Sequence, residues 1–532
     1  MFSKKIGTIY FMPPNRDRSP LPLSRRRFLR TASGMAAGSL LSPALLKGQA
    51  PAVGPSARRP NIIYLVVHDL GKHCSLHNVP VPTPTLEGLA AEGVAMDRAF
   101  CTAPPCSPSR GCAMTGHHPH RNRLLGLVNY DWELAENPPN LVDILNANGY
   151  ETASAGFTHE RHAGPRAMGY RRVLRHRGGM ADNFIENALD DAIGYLERRK
   201  PGDKPCYLNI GTMEVHGSQW SPYSQFAKEF GRGAAVFGQD SAEETYLPPE
   251  IPPTDYSYEM MRHFAPCVRY MDAQLERLVD AIRRMDDAEN TLFVFTTDHG
   301  ILGSRGKGTA YDHGMEIATI FHQPGRLRDG ERFPHLVNNL DFFPTLLDAA
   351  GIEAPPHFGH SHWNGLTGEG PYEPQARIFT ERNYHENYDP VRTVRTERYH
   401  YLRNFHPFAK KYPTPAEILA SDDPRIHDTW PATSTLAGPD HSAKALAKYP
   451  DRDREELYDI ENDPGETRNL AAEPEFAAVK DRLATLCDRH MDATGDPIRE
   501  RPIPPTAAQF ARIKERTPET VGPSLEEIHG LA

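Results

Sequence analysis

The residue best suited to chemistry is a cysteine in the segment Cys106-Ser107-Pro108-Ser109-Arg110. A helix-like run follows at 111–115 and ends at Gly116. A cysteine at the start of a helix is ordinarily a buried structural thiol. This one has small neighbours, a proline suited to a first helical turn, and an arginine that can reach back toward the sulfur. The pattern therefore favours a cysteine that is used chemically.

Histidine and carboxylate residues follow three apolar runs. The run 61–67 (NIIYLVV) stops at His68-Asp69, and the run 291–296 (TLFVFT) is followed by Asp298-His299. A third run, 206–211 (CYLNIG), precedes Glu214 and His216. Apolar, β-branched runs of this length are typical of strands buried on both faces. Each polar pair either caps a following helix or contributes to a site, and a single pair leaves both alternatives open.

A long amphipathic helix is predicted before the run 291–296. Its apolar positions are spaced by threes and fours: Val268, Met271, Leu275, Leu278 and Ile282. Strands that alternate with helices predict an α/β fold with a large, mostly parallel sheet between helices. Ligands of such sheets bind outside the carboxyl ends of the strands, so the polar pairs are expected to meet there.

The CSPSR segment resembles the CxPSR signature of the type I sulfatases, which belong to the alkaline phosphatase superfamily. The resemblance implies that a formylglycine-generating enzyme oxidises Cys106 to formylglycine, whose hydrated aldehyde becomes the nucleophile. One hydroxyl of the hydrate attacks sulfur, and the other expels sulfate as the aldehyde re-forms. An alkaline-phosphatase-like fold with a smaller C-terminal α+β domain is implied as well.

Four further residues match catalytic positions of that family. Arg110 matches the arginine that anchors the formylglycine, and His159, in the stretch TASAGFTH, matches the histidine that hydrogen-bonds it. His216 matches a histidine that contacts the sulfate or protonates the leaving group, and Lys307 matches the residue that clamps a sulfate oxygen. A lone lysine is ordinarily solvated surface, and only its spacing after the second polar pair favours a role for Lys307. Phe157 stands where the family pattern has lysine, so one positive contact to sulfate is missing.

The resemblance also implies a site for one divalent cation. Its expected ligands are the two polar pairs and the modified cysteine: His68, Asp69, Asp298, His299 and Cys106. The family usually has Asp-Asp at the first pair and commonly binds Ca²⁺. Because His68 replaces a hard anionic donor with imidazole, Ca²⁺ is expected to bind less well, and Mn²⁺ or Zn²⁺ is an alternative.

The resemblance covers roughly residues 60–495, too much of the chain for a chance match. It predicts a catalytic domain at 58–375, a smaller C-terminal domain at 376–510 and a polar tail at 511–532. Short patterns look most like the N-sulfoglucosamine sulfohydrolases, the heparan N-sulfatases. Three residues in these patterns, His385, Arg392 and Arg395, either bind sugar or form an exposed polar edge.

Residues 1–50 resemble a twin-arginine export signal. The segment Ser24-Arg25-Arg26-Arg27-Phe28-Leu29-Arg30 precedes an apolar stretch at 31–46 that is too short for a permanent membrane span. The expected partner is the twin-arginine export machinery, and the expected location is the periplasm or the medium. Nine Lys or Arg and one Asp give this segment +8, so its removal takes the formal net charge from −9 to −17. An acidic mature chain argues against nucleic acid as a partner.

Composition is consistent with a folded protein of more than one domain. The chain has 532 residues, of which 39% are hydrophobic and 24% charged. Its seven cysteines show no dense spacing pattern, so disulfides are not expected to hold the fold together.

The sequence is consistent with three functions. The favoured one is a metal-dependent sulfatase or sulfamidase acting on a sulfated, glycosaminoglycan-like saccharide, with N-sulfoglucosamine as one candidate. The second is a phosphodiesterase or phosphonate hydrolase of the same superfamily, since one fold serves both chemistries. The third is a catalytically inactive sugar-binding homologue, because of His68 and Phe157. A homodimer is a further possibility that the sequence leaves open.

Overall fold

The computed structural model describes residues 58–516, apart from 176–178, 223, 250, 252, 254, 303–304, 386–387, 406–451 and 502. The predicted export signal and residues 517–532 of the predicted tail lie outside the described residues. Among the described residues, the helices are all too short or too polar to cross a membrane.

An eight-stranded sheet with β1 near its centre forms the framework. Its strands are β1 (Asn61–Val67), β2 (Val94–Phe100), β3 (Glu151–Gly156), β4 (Arg172–Leu174), β5 (Cys206–Gly211), β6 (Thr291–Thr297), β7 (Thr319–His322) and β8 (Glu331–Asn338). The strand order is β4-β3-β5-β1-β6-β7-β2-β8, and only β7 runs antiparallel to its neighbours. The predicted large, mostly parallel sheet is confirmed.

Helices cover both faces of this sheet. Over the described residues they are α1 (Pro84–Ala91), α2 (Cys106–Thr115), α3 (Pro119–Asn122), α4 (Leu141–Ala147), α5 (Ile185–Glu197), α6 (Gly217–Trp220), α7 (Gln225–Glu229), α8 (Ala234–Phe237), α9 (Asp255–Met261), α10 (Phe264–Arg283), α11 (Asp312–Met315), α12 (Phe342–Ala349), α13 (Trp363–Thr367), α14 (Ala477–Thr494) and α15 (Ala507–Arg516). The predicted amphipathic helix is α10, and its five predicted apolar positions are all buried. Helix α15 spans the predicted start of the tail at residue 511.

The central strand β1 divides its side chains between two hydrophobic clusters. Ile63 and Leu65 pack with α1, α5 and α10 on one face, while Ile62 and Tyr64 pack with α2, α4 and α12 on the other. Successive strand residues point to opposite faces, so a strand between two helical layers must be apolar throughout. This is why NIIYLVV has no polar alternation and why the chain can turn polar only where β1 ends.

A smaller antiparallel sheet follows the large one in the chain. Its strands are β9 (Arg377–Tyr384), β10 (Tyr388–Thr396), β11 (Tyr399–Asn404) and β12 (Glu455–Asp459), in the order β12-β11-β10-β9. The predicted smaller sheet-and-helix unit is therefore present. Its apolar residues belong to the same hydrophobic cluster as one face of the large sheet. The domain boundary between residues 375 and 376 thus stays a prediction, because the two sheets share one hydrophobic core.

Two arginines on β10 are buried in ion pairs. Arg392 donates to the carboxylate of Asp496, with Nη2 3.1 Å from Oδ1, and Arg395 donates to Asp312, with Nε 2.9 Å from Oδ2. The residues are only 3% and 4% exposed, and His385 is buried as well. Of the two alternatives for these residues, the exposed polar edge is therefore wrong, and both guanidinium groups are neutralised inside the protein.

Replacing Asp496 with alanine is expected to destabilise the fold by up to about 3–5 kcal/mol, because buried Arg392 would lose its hydrogen-bonded carboxylate and keep only the more distant one of Glu381, 3.8 Å from Nε. The free energy of unfolding in urea measures the change. The matched control is Asp492→Ala in α14, whose carboxylate pairs with Arg499 and is 62% exposed, and its loss should stay within about 0.5 kcal/mol. Equal losses in the two variants would contradict the assignment.

Candidate active site

The polar pairs after β1 and β6 meet because the two strands are parallel neighbours. Val67 pairs with Thr297 at the end of the register. Beyond it, the Asp298 N–H donates to the Val67 carbonyl at 3.2 Å, and the Asp69 N–H donates to Asp298 Oδ1 at 3.1 Å. The backbone of Asp69 is left-handed, with φ of 50°, a conformation that Asp and Asn tolerate better than most residues.

Two carboxylates and two imidazoles form a buried cluster at this edge. Their ligand atoms lie within 4.8 Å of one another. His68 Nδ1 is 2.5 Å from Asp69 Oδ1 and 3.3 Å from Asp298 Oδ2. His299 Nε2 is 3.3 Å from Asp69 Oδ1 and 3.6 Å from Asp298 Oδ1. The structure thus brings together four of the five predicted cation ligands.

The ring orientation of His299 is compatible with a cation in this cluster. Its Nδ1 lies 2.9 Å from the Gly300 carbonyl, which can only accept, so Nδ1 carries the proton. Nε2 faces the carboxylates of Asp69 and Asp298 at 3.3 and 3.6 Å, and it has no hydrogen-bond partner among the described residues. A buried ring nitrogen that faces two carboxylates without a hydrogen bond fits a cation held between these groups.

Positive side chains already hold both carboxylates in the ionised form. Burial alone would raise their pKa values, but Lys307 and neighbouring imidazoles hold the pKa of Asp69 well below its usual range. His299, His68 and Arg110 likewise outweigh the effect of burial on Asp298 and lower the pKa of its carboxyl. The carboxylates are thus available as anionic ligands at neutral pH.

Helix α2 positions Cys106 beside this cluster. The helix begins at Cys106, directly after its N-cap Pro105, as the sequence predicts. Arg110, one turn later, donates from Nε to Asp298 Oδ2 at 3.1 Å, and the Ser109 hydroxyl donates to the Asp298 carbonyl. Asn339 donates to the Ser109 carbonyl at 3.1 Å. These bonds fix the first turn of α2 against the end of β6.

The thiol of Cys106 contacts His159 and lies near His68, one member of the four-residue cluster. Its Sγ is 3.2 Å from His159 Nδ1, and these atoms group with His68 within 4.8 Å. Burial raises the pKa of the Cys106 thiol well above its usual value, while burial, His68 and Arg110 lower the pKa of His159. At neutral pH the unmodified pair is a protonated thiol beside a neutral imidazole. An unmodified Cys106 is therefore a poor nucleophile.

Lys307 and His216 complete the site from two other loops. Lys307 Nζ donates to Asp69 Oδ2 at 3.0 Å and lies 2.6 Å from His216 Nε2. Ser218 holds the other ring nitrogen of His216, with its N–H at 3.0 Å and its hydroxyl at 2.7 Å. Lys307 is 1% exposed. The solvated-surface alternative for this lysine is wrong.

Phe157 lies among the catalytic candidates as an aromatic wall. Its ring centroid is 5.2 Å from the His68 ring, 5.0 Å from the His159 ring and 5.2 Å from the Arg110 guanidinium carbon. The guanidinium over an aromatic face is a cation–π contact. Phe157 therefore holds Arg110 and the two imidazoles in place where the family pattern would have a cation.

Two contributors were missed by the sequence analysis. Glu160 accepts a hydrogen bond from the His159 N–H at 2.8 Å and is buried, and burial raises the pKa of its carboxyl. Asn339 holds the first turn of α2 from 230 residues away in the chain. Asn339 has no spacing signal, because it acts through a tertiary contact. Glu160 contacts its own neighbour in the chain, and a single carboxylate beside a histidine forms no recognisable motif.

Comparisons with known proteins agree with this geometry. The family model described as Sulfatase matches residues 60–352, more than half of the chain, and the model described as N-sulphoglucosamine sulphohydrolase, C-terminal, matches residues 299–412. The human N-sulphoglucosamine sulphohydrolase is 27% identical over 478 residues, covering 83% of this chain and 91% of that protein. An ulvan-active sulfatase of Formosa agariphila is 25% identical over 455 residues, covering 84% and 83%.

Solved structures give the same architecture. A structure determined in complex with its substrate D-glucosamine-2-N,6-O-disulfate superimposes with a TM-score of 0.63 at 18% identity, over 84% of this chain and 100% of that chain. A phosphonate monoester hydrolase from Silicibacter pomeroyi gives 0.57 at 19% identity, over 82% and 96%. At these identities the likeness shows the fold alone, whereas the Sulfatase family model matches more than half of the chain. The chain belongs to the sulfatase family and is a sulfatase.

Proposed function

We propose that this protein removes sulfate from a sulfated, glycosaminoglycan-like saccharide with a formylglycine made from Cys106. The observation that carries the proposal is the position of residue 106, at the first turn of a helix and beside a buried carboxylate–imidazole cluster. Because burial raises the pKa of the thiol, an unmodified Cys106 would be a poor nucleophile, so the proposed turnover requires the modification.

The cationic side chains are suited to a sulfuryl group. Lys307 reaches the cluster from the loop after β6, and Arg110 reaches it from α2, so two positive groups flank residue 106. Charge held by fixed donors in a buried site stabilises the oxygens of a transferring group more than it would in water. We assign both residues to binding and charge stabilisation of the sulfuryl oxygens.

The two imidazoles are suited to proton transfer. His159 is held neutral against residue 106, so its Nδ1 can take a proton from that residue or return one. His216 is oriented by Ser218 and directs Nε2 toward Lys307. We assign His216 to the leaving-group side, where it donates a proton to the departing oxygen or nitrogen.

A divalent cation fits the cluster of His68, Asp69, Asp298 and His299. When bound, it would supply positive charge beside residue 106 and the sulfuryl group. Arg110 and Lys307 each contact one of the carboxylates, so they also fix the orientation of the groups that would hold the ion.

The saccharide class rests on the relatives. One is the human N-sulphoglucosamine sulphohydrolase, and others are named Delta 4,5-hexuronate-2-O-sulfatase and N-acetylglucosamine-6-O-sulfatase, both of Bacteroides thetaiotaomicron. These names include both N-sulfated and O-sulfated sugars. We therefore propose a sulfated amino sugar or uronate and leave the choice between N-sulfate and O-sulfate to experiment.

Sulfate release from a panel of sulfated mono- and disaccharides tests this proposal. The enzyme is produced together with a formylglycine-generating enzyme, and peptide mass spectrometry establishes the state of residue 106. We expect at least one N-sulfated or O-sulfated saccharide to be turned over, and an aryl phosphodiester to be hydrolysed far more slowly. Faster hydrolysis of the phosphodiester would favour the phosphonate-hydrolase alternative. An unmodified Cys106 in the native host without any sulfate release would favour the inactive homologue.

Export through the twin-arginine machinery to the periplasm or the medium remains part of the proposal. Its support is the arginine motif in residues 24–30 and the apolar stretch after it. Replacing Arg25 and Arg26 together with lysine should leave the protein in the cytoplasm, and fractionation of the native host measures this. Unchanged export of that variant would contradict the signal.

A further inference from the structure

The cation site of this chain has an unusual balance of donors. It offers two carboxylates and two imidazoles, all of them buried, and their ligand atoms lie within 4.8 Å of one another. Ca²⁺ takes six to eight oxygen ligands, whereas imidazole suits the later first-row transition metals. A Ca²⁺ ion here would therefore need further oxygen ligands from the surroundings of the cluster.

The carboxylate oxygens are already engaged by protein donors. Lys307 donates to Asp69 Oδ2 at 3.0 Å, and the Asp69 N–H donates to Asp298 Oδ1 at 3.1 Å. Arg110 donates to Asp298 Oδ2 at 3.1 Å. Three carboxylate oxygens therefore already share their lone pairs with protein donors, and the two carboxylates offer four oxygens in all, fewer than the six to eight ligands that Ca²⁺ takes.

The net charge of the surroundings also disfavours a hard cation. The carboxylates of Asp69 and Asp298 contribute two negative charges, and each contacts a buried cation, Lys307 or Arg110. Ca²⁺ binding depends on the ligand charge count. An ion that binds through neutral nitrogen donors depends less on the negative charge of its ligands. Neutralisation of the two carboxylates therefore weakens its binding less.

The nitrogen donors are oriented toward the carboxylates. The Gly300 carbonyl fixes the His299 ring so that Nε2 lies 3.3 Å from Asp69 Oδ1. His68 Nδ1 lies 2.5 Å from Asp69 Oδ1 and 3.3 Å from Asp298 Oδ2. One ring nitrogen of each histidine therefore faces the space between the two carboxylates.

We infer that this site selects Zn²⁺, and after it Mn²⁺, over Ca²⁺, since the affinity of a mixed nitrogen and oxygen site is higher for Zn²⁺ than for Mn²⁺. The inference rests on the proposed function to the extent that this function needs a cation at the cluster. His68 and His299 are the residues that set the selectivity, since they supply nitrogen where a Ca²⁺ site would have oxygen.

Metal content tests the inference without any measurement of turnover. The full chain, produced with the formylglycine-generating enzyme, is stripped with a chelator and dialysed against equimolar Ca²⁺, Mn²⁺ and Zn²⁺, and bound metal is measured by elemental analysis. We expect about one Zn²⁺ or Mn²⁺ per chain and at least a ~10-fold preference over Ca²⁺. Retention of Ca²⁺, or of no metal at all, overturns the inference.

Thermal unfolding provides a second measurement on the unaltered protein. Binding to the folded state alone raises the midpoint by mass action. We expect Zn²⁺ or Mn²⁺ to raise the midpoint and Ca²⁺ at the same concentration to leave it unchanged. A larger rise with Ca²⁺ overturns the inference.

The double variant His68→Asp, His299→Asn tests which residues set the selectivity. It restores oxygen donors at both positions, so Ca²⁺ should now be retained and the preference for Zn²⁺ or Mn²⁺ should fall by at least ~10-fold. The control is His322→Asn, a buried histidine at the end of β7 that is remote from the cluster in the fold, and its metal content should match the parent. If the double variant does not fold, the metal content and the thermal unfolding of the parent chain still test the selectivity.

Bound metal and sulfate release together distinguish a failure of this inference from a failure of the proposed function. A chain that retains Zn²⁺ or Mn²⁺ but releases no sulfate supports the metal selectivity and contradicts the saccharide sulfatase. A chain that turns over sulfated sugars with Ca²⁺ bound supports the saccharide sulfatase and contradicts the metal selectivity.

Discussion

Replacing Cys106 with alanine is expected to reduce sulfate release by at least ~10⁴-fold, because it removes the atom from which the nucleophile is made. Turnover of the best saccharide from the panel measures the loss. The fold should be retained, since Cys106 occupies the first position of α2 and its thiol contacts one polar neighbour, His159. Thermal unfolding should therefore change little, which separates lost chemistry from lost structure.

The control for this variant is Cys112→Ala in the same helix. Cys112 is also fully buried, but it does not belong to the group formed by Cys106, His68 and His159. It should keep near-normal turnover despite the loss of a buried sulfur. Near-normal turnover in Cys106→Ala would contradict the formylglycine assignment, whatever the fold.

Long apolar patterns made the framework predictable. The runs that became β1, β5 and β6 are continuous because both faces of those strands meet helices, and α10 shows its buried stripe at regular spacing. The observed β6 ends at Thr297, one residue later than its apolar run. Parallel pairing then places the polar pairs together, so the elements of the site follow from the fold class.

Contacts made through tertiary structure were not predictable. Arg392 looks the same in sequence whether it meets solvent, a sugar or a buried carboxylate, and its partner Asp496 lies 104 residues later. Lys307 posed the same problem, and its burial against Asp69 appears only when the loop after β6 folds back on β1. The sequence alone says little about whether a charged residue is buried, because its burial depends on a partner from another element.

The cations of the site have two tasks. Arg110 and Lys307 neutralise the buried carboxylates, and they are also the groups assigned to the sulfuryl oxygens. A substrate anion therefore enters surroundings in which positive charge is already fixed, although the whole chain carries a formal charge of −9. Local preorganisation decides the binding of a small anion here, since exposed charges farther away are screened by salt.

Replacing Asp69 with asparagine is expected to abolish both cation binding and turnover, with sulfate release at least ~10³-fold lower. Asparagine keeps the size of the side chain and tolerates the left-handed backbone at this position, whereas alanine would add strain there. The substitution removes one of the two anionic ligands and leaves Lys307 buried without its carboxylate. A loss of stability of about 3–5 kcal/mol should accompany the loss of activity. Turnover, bound metal and the free energy of unfolding are all measured on the same preparation.

The control for this variant is Asp97→Asn on β2, an aspartate that pairs with Arg332 and is 34% exposed. It should keep its cation, its turnover and its stability within about 0.5 kcal/mol. Retention of metal with loss of turnover in Asp69→Asn would instead place Asp69 in charge stabilisation through Lys307, since that lysine contacts both Asp69 and His216. A variant with full activity and full metal content would remove Asp69 from the site, and with it the reason for the burial of Lys307 at the end of β1.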